Sequence, residues 1–335
     1  EKSPASGSTG AALGVLMGII SHKMKGRGWK LRQTSLQRYE TLIPELEELT
    51  GESVPVNHQG ILMLRFVEDS LERWEKLISF RNSQGYKLEI WDQKTLSKRC
   101  PQIQNEKVMG AIYSPQDRQI NPTFLTQSLV KASARNGVNC QFGLKVQQIK
   151  SLSVDDTNQS LCYEIHTQQQ RLKVDWVVIA AGLGSTPLIK PLKPIVHLQP
   201  VLGQALQIKL NQPLGDGNFQ PVITGDDVHI VPLSKDEYWV GATVEFPDQK
   251  GNVIAESELL EKVKQQAIAF CPDLKNGTIV KTWFGKRPRP DGESAPIIKT
   301  LPDYPHILLA TGHYRNGVLL APATALMIRD KIQQS

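Results

Sequence analysis

Cysteine is scarce in this 335-residue sequence, and its placement argues against two kinds of chemistry. The four cysteines stand far apart, with no Cys-x-x-Cys pair and no histidine pair at ligand spacing. We therefore expect neither a zinc site nor a disulfide framework, and we predict no metal ligands. Sparse cysteine use of this kind suits a reducing compartment and predicts a cytoplasmic protein.

Long hydrophobic runs are missing as well. The longest, Ala11 to Ile20, falls short of the about 20 residues that cross a bilayer and contains two glycines. The formal net charge is +6, but the basic residues are scattered apart from a cluster between His22 and Arg32. No nucleic-acid-binding signature accompanies that cluster. We predict no transmembrane segment and no nucleic-acid partner.

Three glycine-based signatures are also absent. The chain has no Gly-x-Ser-x-Gly elbow, which disfavours serine hydrolase chemistry, and no P-loop. It also lacks the Gly-x-Gly-x-x-Gly turn that usually follows the first strand of a dinucleotide-binding fold.

A buried parallel strand is nevertheless well marked. Residues Trp176 to Ser185 read Trp-Val-Val-Ile-Ala-Ala-Gly-Leu-Gly-Ser, a continuous apolar run that ends in small residues. Such a run indicates a strand covered on both faces, with a carboxyl end that a ligand can approach closely. We expect Ala180, Ala181 and Gly182 to contact a dinucleotide.

The C-terminal stretch from Ala310 to Asp330 indicates an anion site. An apolar strand, Ile307 to Thr311, runs into a loop bracketed by Gly312 and Gly317, and Pro322 predicts a helix that begins at Leu320 or Ala321. The first turn of a helix leaves backbone N–H groups unpaired, and these favour an anion. Arg315, in the same loop, suits a two-point grip on a carboxylate.

These residues resemble a known family. The run Gly-His-Tyr-Arg-Asn-Gly-Val-Leu-Leu-Ala-Pro-Ala-Thr is similar to the C-terminal flavin-contacting segment of the D-amino-acid oxidase family, above all its glycine oxidase branch associated with thiamine biosynthesis. The segment Trp283 to Ile298 resembles the family's Gly-x-Arg-Pro run followed by Asp-Gly and Pro-Ile. The resemblance covers nearly the whole chain and implies FAD as the cofactor.

The resemblance also implies roles for individual residues. By resemblance, Arg315 would bind the substrate carboxylate. His313 and Tyr314, in the same loop, are further catalytic candidates and His229 is a second substrate-binding candidate, since a histidine can act as an acid or a base near neutral pH. Relatives usually carry Tyr at the position of His229, Arg at Leu233 and Arg at Leu202, so the exact substrate is not transferred. The implied flavin contacts are Glu1, Lys2, Thr9, Gly14, Val15, Leu16, Val146, Ala180, Ala181, Gly182, Gly312, Asn316, Gly317, Val318 and Leu319.

The predicted architecture is α/β, with two domains. A doubly wound FAD-binding domain would be assembled from residues 1–50, 116–190 and 286–335. An antiparallel β-sheet substrate domain with helices on one face would comprise residues 51–115 and 191–285. By resemblance, Glu1 and Lys2 match the acidic end of a second strand, so we expect the first strand and its glycine turn to lie upstream of these residues.

The predicted function is FAD-dependent oxidation of the C–N bond of a small amino acid, namely glycine, sarcosine or a D-amino acid. The product would be an imine that hydrolyses to a 2-oxo acid, with dioxygen as acceptor and hydrogen peroxide as by-product. Two alternatives stay open: a dehydrogenase of the same family that uses a quinone or another acceptor, and a flavin-free binding module. A homo-oligomer is also left open.

Two local predictions can be checked against structure. Helical spacing between Trp29 and Leu49 predicts a long helix that is kinked or broken near Pro44. Residues Val138 to Phe142 are predicted to form a strand after the helix that ends near Gly137.

Overall fold

The computed structural model describes residues 1–152, 162–193 and 196–334, and shows a mixed α/β fold. No helix in these ranges is long and apolar enough to cross a bilayer. The helices are α1 (Gly26–Thr50), α2 (Leu71–Ser83), α3 (Gln93–Arg99), α4 (Pro122–Arg135), α5 (Ser185–Ile189), α6 (Ser257–Phe270) and α7 (Gly317–Gln333). The strands are β1 (Val15–Leu16), β2 (Val56–Asn57), β3 (Ile61–Phe66), β4 (Glu89–Asp92), β5 (Val108–Ser114), β6 (Arg118–Ile120), β7 (Val146–Leu152), β8 (Cys162–Thr167), β9 (Arg171–Val174), β10 (Val177–Ile179), β11 (Leu198–Lys209), β12 (Val222–Gly225), β13 (Val228–Pro232), β14 (Glu237–Gly241), β15 (Thr278–Pro290), β16 (Ile297–Leu301) and β17 (Tyr304–Thr311).

The largest sheet has eight strands in the order β15-β11-β14-β13-β12-β3-β5-β4. Successive side chains along its strands point to opposite faces, as expected for a sheet that has a different environment on each face. In β13, Val228 and Ile230 enter a large core shared with α6, whereas His229 and Val231 point to the opposite face. That opposite face carries the functional candidates of this sheet.

A second sheet contains the predicted parallel strand. β10 pairs in parallel with β17, in the register Val177 with Ile307 and Ile179 with Leu309, and β17 pairs antiparallel with β16. This confirms the parallel strand predicted from its apolar run. Within the described residues the other edge of β10 is unpaired, and Val178 on this strand is 42% exposed.

Helices α1 and α7 pack together and carry two prolines in their interiors. Helix α1 continues through Pro44, so the predicted break does not occur. Helix α7 starts at Gly317, which corrects the predicted start at Leu320 or Ala321. The reason lies in the tertiary structure. Pro322 has no N–H and so cannot donate to the carbonyl of Val318, but the hydroxyl of Tyr39 donates to that carbonyl at 2.6 Å.

One further sequence prediction fails. Residues 138–142 form no strand, although their composition suggested one. Val138 and Phe142 are 53% and 41% exposed, so the segment has no apolar face to bury. Its backbone neighbour is the N-terminal segment, where the Glu1 carbonyl accepts the N–H of Gly143 at 2.8 Å.

A buried carboxylate fixes the loop that follows β1. Both oxygens of Asp117 accept backbone N–H groups, from Gly18 and Ile19 on one side and from Ile20 on the other, at 2.8 to 2.9 Å. Burial raises the pKa of Asp117, and these donors oppose the rise. Three converging donors hold the loop beside the candidate site in one conformation.

Candidate active site

The carboxyl ends of β10 and β17 meet at one edge of their sheet. The Thr311 hydroxyl donates to the carbonyl of Gly182 at 3.2 Å and accepts from the Ser185 hydroxyl at 3.0 Å. Gly182 and Gly312 have φ angles of 55° and 65°, which glycine adopts without strain. The structure thus brings two predicted cofactor segments, 180–182 and 312–319, side by side.

Helix α7 points an uncapped N-terminus at this edge. A tight turn at Tyr314–Asn316 leads into the helix, and the Asn316 side chain makes no capping bond to the first turn. Instead, the Asn316 amide oxygen accepts from the Arg32 guanidinium at 3.4 Å. The first-turn N–H groups, around Gly317 and Val318, therefore remain available for an electron-rich ligand.

Gly14 is required at its position by packing. Its φ angle is 73°, and an added Cβ atom would lie 1.8 Å from the Ile120 carbonyl oxygen. The Ile120 N–H donates to the Gly14 carbonyl at 3.0 Å, which joins β1 to β6. Leu16 is buried in the core, while Val15 remains partly accessible. The role predicted for Leu16 is thus one for its backbone.

The other predicted flavin contacts lie on separate segments. Glu1, Lys2 and Thr9 are exposed in the N-terminal segment. Val146 begins β7 and pairs with Thr167 in the antiparallel sheet of β7, β8 and β9. The structure places none of these four beside Arg315, and their proposed contacts are with other parts of an extended dinucleotide.

Arg315, in the turn before α7, lies near His229 of β13. The guanidinium of Arg315 donates to Asp227 Oδ1 at 3.1 Å, and its side chain is 35% exposed. His229 Nδ1 lies 2.8 Å from the Thr224 hydroxyl. Burial, together with the positive charges of Arg315 and Arg287, lowers the pKa of His229 to about 4 against the opposing effect of Asp227. His229 is therefore neutral near pH 7.

Arg287 belongs to the same group, although sequence reasoning did not name it as a site residue. Its guanidinium donates to the carbonyls of Leu202 and Thr243 at 3.1 and 3.0 Å. It lies directly over Gly203, where an added Cβ would be 2.1 Å from the guanidinium nitrogen. Burial and the charge of Arg315 lower the pKa of Arg287. The Gly-x-Arg-Pro segment was the signal that could have identified it.

The side chain of His313 contacts helix α7. Its Nε2 is 2.9 Å from the Thr324 hydroxyl, which itself donates to the Leu320 carbonyl at 2.8 Å. Because that hydroxyl proton is already used, His313 Nε2 is the donor and Nδ1 the acceptor. Burial, with a smaller contribution from the charge of nearby Arg27, lowers the pKa of His313 to about 4. A neutral His313 thus anchors the loop to α7.

Together these features define a class of α/β enzymes. Such enzymes bind an extended cofactor at the carboxyl ends of parallel strands and an anionic substrate against a facing sheet. The uncapped α7 and the exposed Ala180 and Ala181 fit a flavin, which presents electron-rich ring atoms and needs close backbone approach. The model of the FAD dependent oxidoreductase family (DAO) matches residues 1–331. The chain belongs to this family, which confirms the predicted cofactor class and FAD.

Individual relatives agree with this assignment. The chain is 28% identical over 314 residues to the bifunctional protein ThiO/ThiG of Nostoc sp., covering 94% of this chain but only 45% of that protein. It is 24% identical over 329 residues to a glycine oxidase of Geobacillus kaustophilus, covering 98% and 84% of the two chains. The crystal structure of glycine oxidase from Geobacillus kaustophilus has a TM-score of 0.87 at 24% identity, covering 100% of this chain and 87% of that one. The predicted α/β fold is thereby confirmed.

Proposed function

We propose that this protein oxidises the C–N bond of a small amino acid, namely glycine, sarcosine or a D-amino acid, to an imine that water hydrolyses to the 2-oxo acid. Dioxygen is the proposed electron acceptor and hydrogen peroxide the by-product. The observation that carries the proposal is that Arg315 lies close enough to add to the effect of burial in lowering the pKa of Arg287, in the part of the fold where the hydrogen bond between Thr311 and Gly182 joins the two predicted flavin segments.

The two arginines would bind and orient the substrate carboxylate. Arg315 offers a partly exposed guanidinium in the loop, and Arg287 adds a second positive charge from the sheet. A carboxylate held by an arginine is fixed in direction as well as position. Neutral His229 borders the same space without adding a charge.

The chain's remaining residues would hold the cofactor and exclude water. Bound FAD supplies the two-electron acceptor for the hydride that leaves the amine-bearing carbon. Residues 180–182 and 312–319 would hold its flavin end, and the positive end of α7 would stabilise negative charge there. Glu1, Lys2 and Val146 would contact the adenosine half, and Thr9 would lie beside the pyrophosphate. One edge of β10 is not paired by any of the described residues, which leaves room for a further parallel strand beside this site.

Anaerobic bleaching of the flavin absorption tests the proposal directly. Glycine, sarcosine, D-alanine, D-proline and L-amino acids are added in parallel to the FAD-loaded protein. Bleaching by one group identifies the substrate class, and a flavin that none of them reduces contradicts amino-acid oxidation. Hydrogen peroxide release on readmission of air supports the oxidase, whereas turnover only with a quinone would assign a dehydrogenase.

The role of Arg315 has a separate test. Arg315→Leu should raise the substrate KM by about a hundredfold, since a charge-assisted grip on a carboxylate is lost. The flavin content should stay at the parental level, because the residue contacts Asp227 and the proposed carboxylate space. An unchanged KM would remove Arg315 from the site.

The domain bounds and the cytoplasmic location remain predictions.

A further inference from the structure

Asp227 forms an ion pair with Arg315, the residue proposed to bind the substrate carboxylate. It sits at the tip of the hairpin formed by β12 and β13, and it pairs with Arg315, 88 residues away in the chain, at 3.1 Å. Asp227 is 74% exposed and Arg315 is 35% exposed, so the pair lies at the rim of the site. The guanidinium proposed to bind a substrate carboxylate therefore already holds a carboxylate of the protein.

The hairpin presents this carboxylate in a demanding conformation. Gly225 pairs with Val228, which leaves a turn of two residues with positive φ angles, 47° at Asp226 and 62° at Asp227. Turns of this kind favour Asn-Gly or Asp-Gly, because glycine adopts positive φ without strain. Aspartate at the second position keeps a carboxylate at some conformational cost, which points to a use for the charge.

The rim around the hairpin is acidic beyond this pair. Burial raises the pKa of Asp226, and the negative charges of Glu68, Asp69 and Asp227 raise it further. On the inner side, the facing groups are Arg315, Arg287 and neutral His229. A ligand that enters thus passes negative charge at the rim before it reaches positive charge inside.

We propose that Asp227 is a specificity-determining residue, an inference that rests on the carboxylate-binding role proposed for Arg315. Without substrate, Asp227 pairs with Arg315 and holds it in place. A substrate carboxylate displaces Asp227, whose charge then lies next to the rest of the substrate. Amino acids with one carboxylate and a protonated amine are accepted there, and those with a second carboxylate are repelled.

The experiment compares Asp227→Asn with Asp226→Asn in the FAD-loaded protein. Both variants remove one negative charge from the same turn, and asparagine tolerates positive φ well, but only the first removes the partner of Arg315. Binding of acetate and of malonate, which have one and two carboxylates and carry no amine to oxidise, is measured by titration calorimetry.

Asp227→Asn should tighten acetate binding by about two- to fivefold, the range expected for release of an exposed ion pair. Malonate binding should tighten further, by about tenfold, because the repulsion is also removed. Asp226→Asn should change either constant less than twofold. Sarcosine and iminodiacetate turnover should show the same order in kcat/KM.

The outcomes separate this inference from the proposed function. Equal effects of the two variants would assign the selectivity to the combined negative charge of the rim and overturn the role of Asp227. Unchanged binding in Asp227→Asn, with acetate binding still lost in Arg315→Leu, would overturn it as well and leave the proposed function standing. A parent protein that binds neither acetate nor malonate would overturn both.

Discussion

Arg287 of β15 pairs with Val201 of β11, and its side chain reaches diagonally over Gly203, where the absence of a side chain leaves room for the guanidinium. The Arg287 guanidinium occupies the space above Gly203, at 2.1 Å from the position of a Cβ atom there. This placement lets it donate to two backbone carbonyls within range of the positive charge of Arg315, and burial together with that charge lowers the pKa of Arg287. Glycine at position 203 is therefore part of the site, although it can bind nothing through a side chain.

Gly203→Ala should displace Arg287 without unfolding the protein, because the obstructing atoms are the far end of a flexible side chain. We expect the substrate KM to rise by about tenfold, as a charge-assisted contact is lost. The free energy of unfolding should fall by about 1–2 kcal/mol, because the Thr243 carbonyl loses its donor, whereas the Leu202 carbonyl keeps the N–H of Glu245. Steady-state kinetics and urea unfolding measure the two effects.

A double-mutant cycle is the control for this change. If Gly203→Ala acts through Arg287, it should add little to the KM of Arg287→Ala. Independent, additive effects would show that the methyl group perturbs the site by another route.

Helix α7 can start at Gly317 because α1 compensates for Pro322. Tyr39 donates to the carbonyl of Val318, and the Ser35 hydroxyl accepts the N–H of Ala323 at 3.2 Å. Tyr39 is 6% exposed and Ser35 is fully buried, so water cannot replace these bonds. The first turn of α7, which faces the proposed flavin site, is thus held by side chains from another helix.

Tyr39→Phe should lower the free energy of unfolding by about 1–3 kcal/mol, the cost of leaving a buried carbonyl unpaired. It should also weaken FAD retention, because the first turn of α7 loses its support. Chemical unfolding and flavin release on dilution provide the measurements. Tyr86→Phe is the matched control, since the Tyr86 hydroxyl makes no hydrogen bond within the described residues. Equal losses in both variants would argue against the role of Tyr39.

Acid sensitivity is a property of the folded protein as a whole. The pKa values of His229 and His313 are lowered from 6.5 to about 4 in the folded state, mainly by burial. The unfolded chain therefore binds more protons between pH 6.5 and 4, and stability rises with pH in that window and is lost as pH falls. Each histidine can contribute at most about 3 kcal/mol to this loss.

Urea unfolding at pH 7 and pH 5 should show a lower midpoint at pH 5. His229→Gln and His313→Gln should each reduce the difference between the two midpoints. His58→Gln, at an exposed position, is the control and should leave the difference as in the parent. A difference that persists fully in the double variant of His229 and His313 would assign the acid sensitivity to other groups.

Much of the fold was readable from local patterns, because those patterns have local causes. The continuous apolar run before Ala180 predicted the parallel strand, and helical spacing between Trp29 and Leu49 predicted the long helix α1. The strand predicted at 138–142 failed because strand formation needs a partner and a face to bury, which composition does not supply.

The sequence was sufficient for the α/β fold, because apolar runs mark strands locally, and for FAD, which its resemblance to the D-amino-acid oxidase family implied. The carboxylate-binding role of Arg315 was predicted from one short loop and stays a prediction. The start of α7, the place of Arg287 over Gly203 and the pairing of Asp227 with Arg315 depended on folding. Each joins residues that lie far apart in the chain, and hydrogen bonds and charges act over a few ångströms of space. Such contacts exist only after the sheet and the helices have packed together.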